Sequence, residues 1–403
     1  RGIIGYSVIA YRMPWEQLFS IQIHWVVGAF ILMAILLGTI LGNLVANHFT
    51  GRIQRIYLAI ESYSFGDVMH FNDQQNDEIT DISRALTGLT EMVAMQLNKM
   101  SQLNKELEQR IADRVAHIQA LNAIDGVEVV AVCSSRPQDE VELSAKYGSK
   151  ITSYTDLNAM LANEDVSTVS ICSYPSMHKD HAIAAATAGK HLIIEKPLAL
   201  SIEDSALIRD AVRASGVHCC VCFECRYSSQ FLATKSVIDQ GLLGEVHYGE
   251  VDYYHGIGPW YGQFRWNTGR ENGGSSLLSA GCHALDALLL CMGGQVEEVT
   301  SYATVSKNEI FAAYEYPTTT TSILKFSDGR VGKATSCIDC LQPYYFHTHL
   351  IGSEGSLLDD KFHSQKLSTN KDAWSGLSMK MLDSGDVSDH PYQTQFEVFF
   401  ASI

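Results

Sequence analysis

The sequence predicts an α/β protein in which a doubly wound parallel sheet precedes an α+β domain with an open antiparallel sheet. Between residues 127 and 223, short β-rich runs alternate with helix-length amphipathic runs, as in parallel sheets with crossover helices. After Tyr227 the strand-like runs become longer and fewer helices separate them. An uncharged run near the start of the chain predicts that a transmembrane helix and further helices precede these domains.

Composition excludes some classes of partner. The chain of 403 residues has a formal net charge of −16 and no compensating basic stripe, which argues against a nucleic-acid partner. All ten cysteines lie from Cys133 onward and are scattered, as expected in a reducing cytoplasm. Cys222/Cys225 and Cys337/Cys340 have C-x-x-C spacing, but nothing else in either segment resembles a zinc site. We therefore expect no metal and predict that these cysteines are buried, small apolar residues.

The uncharged run covers residues 25–42 and predicts a transmembrane helix at 21–47, since about twenty apolar residues span a bilayer. A buried core helix is the alternative. His48 and Arg52 follow the run, so we expect a membrane anchor with the C-terminal portion in the cytoplasm. Residues 1–20 are then expected to end an extracytoplasmic segment, and both chain ends to be cut from a longer protein.

Residues 48–100 resemble a HAMP linker. The resemblance rests on Gly66-Asp67 in the connector and on Asp77-Glu78-Ile79 at the start of a second helix, although the family's proline in the first helix is absent. It implies a dimeric four-helix bundle that relays motion across the membrane, whereas a generic pair of amphipathic helices is the alternative. Helical spacing continues over residues 101–122 as in a coiled coil. The second helix has one apolar stripe, formed by Ile79, Ile82, Leu86, Leu89 and Val93.

The alternating pattern defines two further domains, at 123–223 and 224–403. In the first, strands are predicted at 127–133, 150–152, 166–172, 191–194 and 217–223, with helices at 138–147, 155–162, 178–189 and 201–215. In the second, strands are predicted at 244–254, 297–306, 318–326, 332–337 and 346–351, with a helix at 277–292.

Two motifs point to chemistry. Glu195-Lys196-Pro197 follows a short apolar strand, which places Lys196 at the carboxyl end of the sheet, where open α/β sheets bind ligands. In the later motif Gly281-x-His283-x-x-Asp286, the histidine and the aspartate are one helical turn apart. A lysine and a histidine can move a proton while a cofactor moves a hydride. Asp286 could orient His283 or cap a polar pocket.

Residues 111–403 resemble the Gfo/Idh/MocA oxidoreductases. The first part would be a dinucleotide-binding Rossmann domain and the second a substrate-binding domain, truncated at its C-terminus. The matching motifs, in chain order, are residues 129–136 and 171–178, Glu195-Lys196-Pro197, Arg226, residues 241–244, Trp266, Gly273-Gly274, residues 281–286 and residues 352–355.

The resemblance implies an NAD(P)-dependent dehydrogenase acting on a sugar, cyclitol or related polyol, in a homo-oligomer. It implies that Lys196 and His283 are catalytic, with Asp286 beside them. Ser279 stands where the family has an aspartate, and serine cannot act as a carboxylate base. The resemblance assigns Ser173, Pro175, His178, Glu195 and Lys196 to the cofactor, and Arg226, Trp266 and Ser279 to the substrate.

Ser134 and Arg136 follow the strand that reads the ribose in such domains. An acidic residue there would bind a ribose 2′-hydroxyl, whereas a hydroxyl and a guanidinium suit a 2′-phosphate. The pair therefore favours NADP over NAD, with an ordinary surface arginine as the alternative.

No first strand and no G-x-G-x-x-G turn precede residue 111, where the membrane segment stands instead. Residues 111–121 are either the first Rossmann helix or the end of the coiled coil. An incomplete Rossmann sheet is therefore expected, lacking its central strand and possessing unpaired backbone groups. Three explanations remain open: an artificial fusion, a signal-relay protein with a non-catalytic binding domain, and a partner chain that completes the site.

Overall fold

The computed structural model describes residues 3–6, 28–33, 78–261, 263–367, 372–383 and 390–403. The chain divides into two compact units, one of which combines Arg1–Ala10 with Glu108–Ile403. The other is Tyr11–Leu107, in which residues 28–33 and the residues from Glu78 onward are helical. The remainder of the predicted membrane helix, the first HAMP helix and the connector lie outside the described residues.

The first sheet is a six-stranded parallel sheet in the order β3-β2-β1-β4-β5-β6, the strand order of a dinucleotide-binding Rossmann domain. The predicted α/β class is therefore confirmed. The strands are β1 Ile3–Tyr6, β2 Glu128–Cys133, β3 Thr152–Tyr154, β4 Thr168–Ile171, β5 His191–Ile194 and β6 Cys219–Val221.

The prediction that the central strand is missing was wrong. Strand β1 lies between β2 and β4, and Ile4 pairs with Val129 on one side and with Thr168 on the other. The expectation of an extracytoplasmic segment at 1–20 is likewise wrong for these four residues. The sequence pattern did not predict this strand for two reasons. Four residues are too few to show the alternation of a strand, and they lie more than a hundred residues before the rest of their sheet.

Helices pack on both faces of this sheet. From Glu78 onward the helices of the first half are α1 Glu78–Asn122, α2 Glu140–Tyr147, α3 Leu157–Leu161, α4 His178–Thr187 and α5 Ile202–Ser215. Side chains at the end of α1 form one core: Ile118 and Leu121 are fully buried against Val129 and Val132. Residues 115–122 therefore serve as a Rossmann helix. The predicted coiled coil then applies to residues 101–114 alone.

The second sheet has eight strands in the order β14-β13-β12-β11-β7-β10-β9-β8. All neighbours are antiparallel except β7 and β10, which are parallel, so the prediction of a wholly antiparallel sheet was wrong at this pair. A long connection containing helices separates these two strands in sequence, and only such a connection permits parallel pairing. The strands are β7 Val246–Tyr254, β8 Val296–Thr304, β9 Thr319–Phe326, β10 Val331–Cys337, β11 Tyr345–Gly352, β12 Gly355–Leu358, β13 Lys361–Ser364 and β14 Ser375–Gly376.

One face of this sheet is covered by helices, and Phe231, Leu288, Phe326 and Phe346 form the core between them. The last helix returns to the first domain, where its aromatic side chains join the core of Ile118 and Leu121. The helices of this half are α6 Ser229–Asp239, α7 Phe264–Asn267, α8 Arg270–Gly273, the π-helical turn Leu277–Gly281, α9 Cys282–Met292 and α10 Tyr392–Phe400.

Within the described part of the chain, one helical stretch, Arg270–Met292, is long and apolar enough to cross a membrane. Of its most apolar window, 61% is buried inside the protein, where it serves as a core helix.

Candidate active site

A pocket opens at the carboxyl ends of strands β4 and β5, where parallel α/β sheets bind ligands. Both halves of the chain contribute to it, so that residues far apart in sequence meet around Lys196. The lining residues are Cys172, Ser173, Tyr174, Pro175, Glu195, Lys196, Pro197, Gln263, Trp266 and Ser279.

Lys196 reaches the pocket because β5 ends immediately before Glu195. The strand residues Leu192, Ile193 and Ile194 are fully buried, so the chain emerges from the core at the motif itself. The Lys196 Nζ donates a hydrogen bond to the Ser279 carbonyl oxygen at 3.2 Å. Burial lowers the pKa of Lys196, but Cys282 and Glu195 raise it more, so the side chain is an ammonium at neutral pH.

Glu195 lines the pocket and is paired with a residue that sequence reasoning missed. Its Oε1 lies 2.8 Å from His117 Nε2, and its Oε2 accepts the backbone N–H of Lys196 at 3.0 Å. His117 belongs to helix α1, outside every motif. Only the alternation of that helix between core and surface could have indicated a buried histidine there.

His178 was assigned to the cofactor, but both ring nitrogens contact backbone carbonyls. Nδ1 lies 2.8 Å from the Pro197 oxygen and Nε2 lies 3.2 Å from the Ser173 oxygen. The ring is 1% exposed. His178 thus joins the two turns that carry the pocket residues, and acts on the pocket through them.

His283 is buried beside a carboxyl group that the sequence did not predict for the site. Its Nε2 lies 3.8 Å from Glu224 Oε1, and His390 Nδ1 lies 3.6 Å from the same oxygen. Burial, and then the charge of Lys196, lower the pKa of His283 well below that of free histidine, so the ring is neutral. Burial, followed by the charge of Glu195, raises the pKa of Glu224 to about 8.

The helix that carries His283 lies against strand β10 because residue 281 is glycine. A Cβ at Gly281 would lie 2.2 Å from the Ser336 Cβ, a distance that two carbon side chains cannot adopt. The backbone therefore approaches the sheet closely at the start of α9, which sets the height of His283 above it.

Asp286 does not orient His283. Its carboxylate forms a bidentate pair with Arg226, with Nε to Oδ2 at 2.7 Å and Nη2 to Oδ1 at 2.5 Å. The fork of a guanidinium matches a carboxylate in this way, and an imidazole has no equivalent geometry. Of the two roles left open for Asp286, the structure therefore rules out the contact with His283, and the predicted substrate residue Arg226 is occupied by an internal partner.

Two residues that line the pocket each have a buried polar atom, Trp266 Nε1 and Ser279 Oγ, that lacks a hydrogen-bond partner among the residues that the structure describes. Such groups cost free energy unless something else satisfies them. Tyr174 holds the Trp266 ring by an edge contact with 5.8 Å between centroids. The donor and the hydroxyl suit a polar, hydroxylated molecule.

The structure describes part of the crevice in which a dinucleotide would bind. Ser134 follows β2 and is buried, and its Oγ donates to the Arg136 carbonyl oxygen at 2.5 Å. Arg136 itself is exposed at the carboxyl edge of the sheet. The turn after β1 lies outside the described residues, but its sequence is Gly5-x-Ser7-x-x-Ala10, with serine at the second glycine of a G-x-G-x-x-G/A fingerprint. Strand order, ribose-side residues and crevice thus fit a nicotinamide dinucleotide.

Comparisons with known families agree with this geometry. A model of the oxidoreductase family with an NAD-binding Rossmann fold matches residues 111–223. The model of the GFO/IDH/MocA C-terminal domain matches residues 231–358. The two domains together identify a nicotinamide-dinucleotide oxidoreductase fold. The chain belongs to the Gfo/Idh/MocA oxidoreductase family.

Several curated proteins are similar over parts of the chain. The D-glucoside 3-dehydrogenase of Escherichia coli is 31% identical over 46% of this chain and 52% of its own length. The 4-carboxy-2-hydroxymuconate-6-semialdehyde dehydrogenase of Sphingobium is 39% identical over 32% of this chain and 42% of its own length. The myo-inositol 2-dehydrogenase of Thermotoga maritima is 25% identical over 60% of this chain and 71% of its own. The chain spans about half the length of the first relatives it matches.

Among solved structures, levoglucosan dehydrogenase in complex with NADH and levoglucosan has a TM-score of 0.58 and 21% identity. The match covers 71% of this chain and 86% of that one. At this identity the similarity supports the fold, which agrees with the strand order above.

Proposed function

We propose that this protein is an NAD(P)-dependent dehydrogenase that oxidises a CH–OH group of a sugar, cyclitol or related polyol, or reduces the corresponding carbonyl. This proposal rests mainly on the Lys196 ammonium, which lies in a pocket at the carboxyl ends of β4 and β5. The unsatisfied Trp266 Nε1 and Ser279 Oγ beside it favour a polyhydroxylated substrate. Names of relatives, which include glucoside and inositol dehydrogenases, support the same substrate class.

The dinucleotide supplies the hydride acceptor. Oxidation of an alcohol also releases a proton, and the charged Lys196 is poorly suited to accept it. Lys196 instead donates a hydrogen bond to the substrate oxygen and stabilises the negative charge that develops there. We assign the proton to His283, which burial keeps neutral and which Glu224 contacts from behind. Because its pKa is raised to about 8, Glu224 is a neutral carboxyl group at neutral pH, and in this proposal it lies against the His283 ring without accepting the proton itself.

A dehydrogenase assay tests this proposal. NADH or NADPH formation is followed at 340 nm with myo-inositol, alkyl glucosides and levoglucosan as substrates. Lys196→Met should lower kcat about 100-fold to 10,000-fold, the usual contribution of a group that stabilises or transfers charge at the reacting atom. The matched control Lys150→Met removes an exposed lysine and should retain wild-type activity. Equal rates in Lys196→Met and the wild type would refute the assignment.

Ser134 and Arg136 support a preference for NADP over NAD. The exposed guanidinium at the end of β2 can pair with a ribose 2′-phosphate, which NAD lacks. Fluorescence titration should give tighter binding of NADPH than of NADH. Arg136→Ala should remove this difference by weakening the binding of NADPH alone. Tighter binding of NADH than of NADPH by the wild type would contradict the predicted preference.

The alternative function, a membrane signal relay with residues 21–47 as a single span, 48–100 as a HAMP-like dimer and a non-catalytic C-terminal domain that binds a sugar or nucleotide, does not fit the sheet. Ile3–Tyr6 pairs with β2 and with β4, so one crossing between residues 21 and 47 would leave β1 and its partner strands on opposite sides of the membrane. We therefore do not propose it.

A further inference from the structure

His117 reaches the pocket motif from helix α1. It is fully buried, and its Nε2 lies 2.8 Å from Glu195 Oε1. Its Nδ1 lies 3.1 Å from Ser170 Oγ and 3.4 Å from Cys172 Sγ. Both nitrogens are thus directed at residues that lead into the pocket turns, from a helix that no sequence motif marks.

The surroundings of the His117–Glu195 pair favour a charged histidine and a charged carboxylate. Burial lowers the pKa of His117, but Cys172 and Glu195 raise it more, to about 10. Burial raises the pKa of Glu195, but the hydrogen bond and charge of His117, with Lys196, lower it to about 2. These shifts favour an imidazolium facing a carboxylate at a buried position. Such a pair holds a defined geometry because either charge alone would be expensive to bury.

Packing restricts the imidazolium further. Two aromatic rings of helix α10 contact it, Tyr392 with 4.3 Å and Phe396 with 5.0 Å between ring centroids. The ring therefore cannot rotate away from Glu195 without displacing α10. The side chain of Cys222 lies near the same pair.

The Glu195 carboxylate links His117 to the backbone of Lys196. One Glu195 oxygen is held by His117, and the other accepts the backbone N–H of Lys196 at 3.0 Å. The backbone of residue 196 is thereby tied to α1 through two hydrogen bonds in series. A rotation of the Glu195 carboxylate would move the Cα of Lys196, and a shift of about 1 Å at a reacting group can cost about 100-fold in rate.

We propose that His117 is a positioning residue for Lys196 and acts through an imidazolium–carboxylate pair with Glu195. This inference rests on the proposed dehydrogenase function for its kinetic consequence, but the ion pair itself can be tested without activity. Protonation is read directly from the 15N shifts of the imidazole in histidine-labelled protein, with His117→Gln used to assign the signal. We expect doubly protonated His117 at pH 8 in the wild type and a neutral ring in Glu195→Gln. A neutral ring in the wild type at pH 8 would overturn the proposal.

Kinetics test the positioning role. His117→Leu should lower kcat about 100-fold while the dissociation constant for the dinucleotide stays within about twofold. His117→Gln, which can place an N–H near the position of Nε2, should recover part of that loss. Ser170→Ala removes the hydrogen bond on the opposite nitrogen, together with a contact to Cys172 Sγ, leaves the Glu195 contact in place and serves as the matched control. A purely structural histidine would instead lower stability in both variants without separating kcat from binding.

The NMR and kinetic experiments distinguish failure of the His117 proposal from failure of the proposed dehydrogenase function. If the wild type oxidises no polyol but His117 is an imidazolium that responds to Glu195→Gln, the ion pair stands and the proposed reaction falls. If the wild type is active and His117→Leu, shown folded by its thermal transition, keeps wild-type kcat, the positioning role falls and the dehydrogenase stands.

Discussion

Single residues at this site are distinguished by whether their polar atoms already have partners. Asp286 and Arg226 satisfy each other, His117 and Glu195 do the same, and the His178 ring lies between the carbonyls of Pro197 and Ser173 and can donate to one of them. Trp266 and Ser279, which line the pocket, each have a buried polar atom without a hydrogen-bond partner among the described residues. Residue type and motif position cannot separate these cases, because pairing depends on which side chains the fold brings together.

The bidentate pair gives a prediction about stability. Arg226→Met leaves the Asp286 carboxylate, 10% exposed, without its partner and should destabilise the protein by about 2–3 kcal/mol. Urea unfolding measures this change. The control Arg209→Met breaks an exposed pair with Asp210 and should cost less than about 0.5 kcal/mol. The double variant Arg226→Met/Asp286→Leu should regain most of the loss; a double variant as unstable as the single one would show that the unpaired charge is not the cause.

Glu224 gives a prediction about pH. Because its pKa in the folded protein is raised to about 8, the folded state keeps the proton between the ordinary carboxyl pKa and pH 8, whereas the unfolded chain loses it. This group therefore makes stability fall as pH rises through that window, by at most about 1.4 kcal/mol per pH unit. Glu224→Gln has no such proton, so its stability relative to the wild type should rise from pH 5 to pH 8. Equal pH profiles for the two proteins, with exposed Glu142→Gln as control, would contradict the buried neutral carboxyl.

Secondary structure elements were predicted well where their period was long enough to read. The strand predicted at 127–133 is Glu128–Cys133, and the helix predicted at 201–215 is Ile202–Ser215. Ile202–Ser215 also has a side-chain cap, since Ser201 accepts the Asp204 N–H. Strand β1 was missed because it is short and its neighbours in space are distant in sequence, although the apolar pair Ile3-Ile4 directly before Gly5 is typical of the first strand of a Rossmann domain.

The central position of β1 can be tested by one substitution. Ile4→Pro removes a backbone donor in a strand that pairs on both sides, which sheet interiors do not tolerate. We expect loss of the cooperative unfolding transition in circular dichroism. Ile4→Val keeps a β-branched side chain and should cost only about 0.5–1.5 kcal/mol. A stable Ile4→Pro protein would show that the parallel sheet does not need this strand.

Helix α10 makes a second prediction at this scale. Phe396 is fully buried against the core of Ile118 and Leu121, so Phe396→Ala should destabilise the protein by about 3–5 kcal/mol. Val398 on the same helix is 52% exposed, and Val398→Ala should change stability by less than about 0.5 kcal/mol. Chemical denaturation compares the two, and similar small losses would mean that α10 does not dock on the first domain.

At the scale of the whole molecule, the ten cysteines are all free thiols. Cys222 and Cys225 are buried as predicted, but Cys337 and Cys340 are only half-buried, so the prediction of small buried residues was wrong for that pair. They lie at the end of β10 and in the loop after it, where the sheet no longer covers them. Thiol titration in denaturant without reductant should find ten reactive groups, and fewer would reveal a disulfide or another modification.

The order of residues alone predicts the alternation of strands and helices, the motif that ends β5 with a lysine, and the family. These features are local, since hydrophobic period and residue order are present in the chain before it folds. The three-dimensional contacts were needed to establish that Ile3–Tyr6 completes the sheet, that Asp286 binds Arg226, and that His117 contacts Glu195. Those contacts join residues separated by tens to more than a hundred positions, and such pairing follows from packing and charge burial in three dimensions.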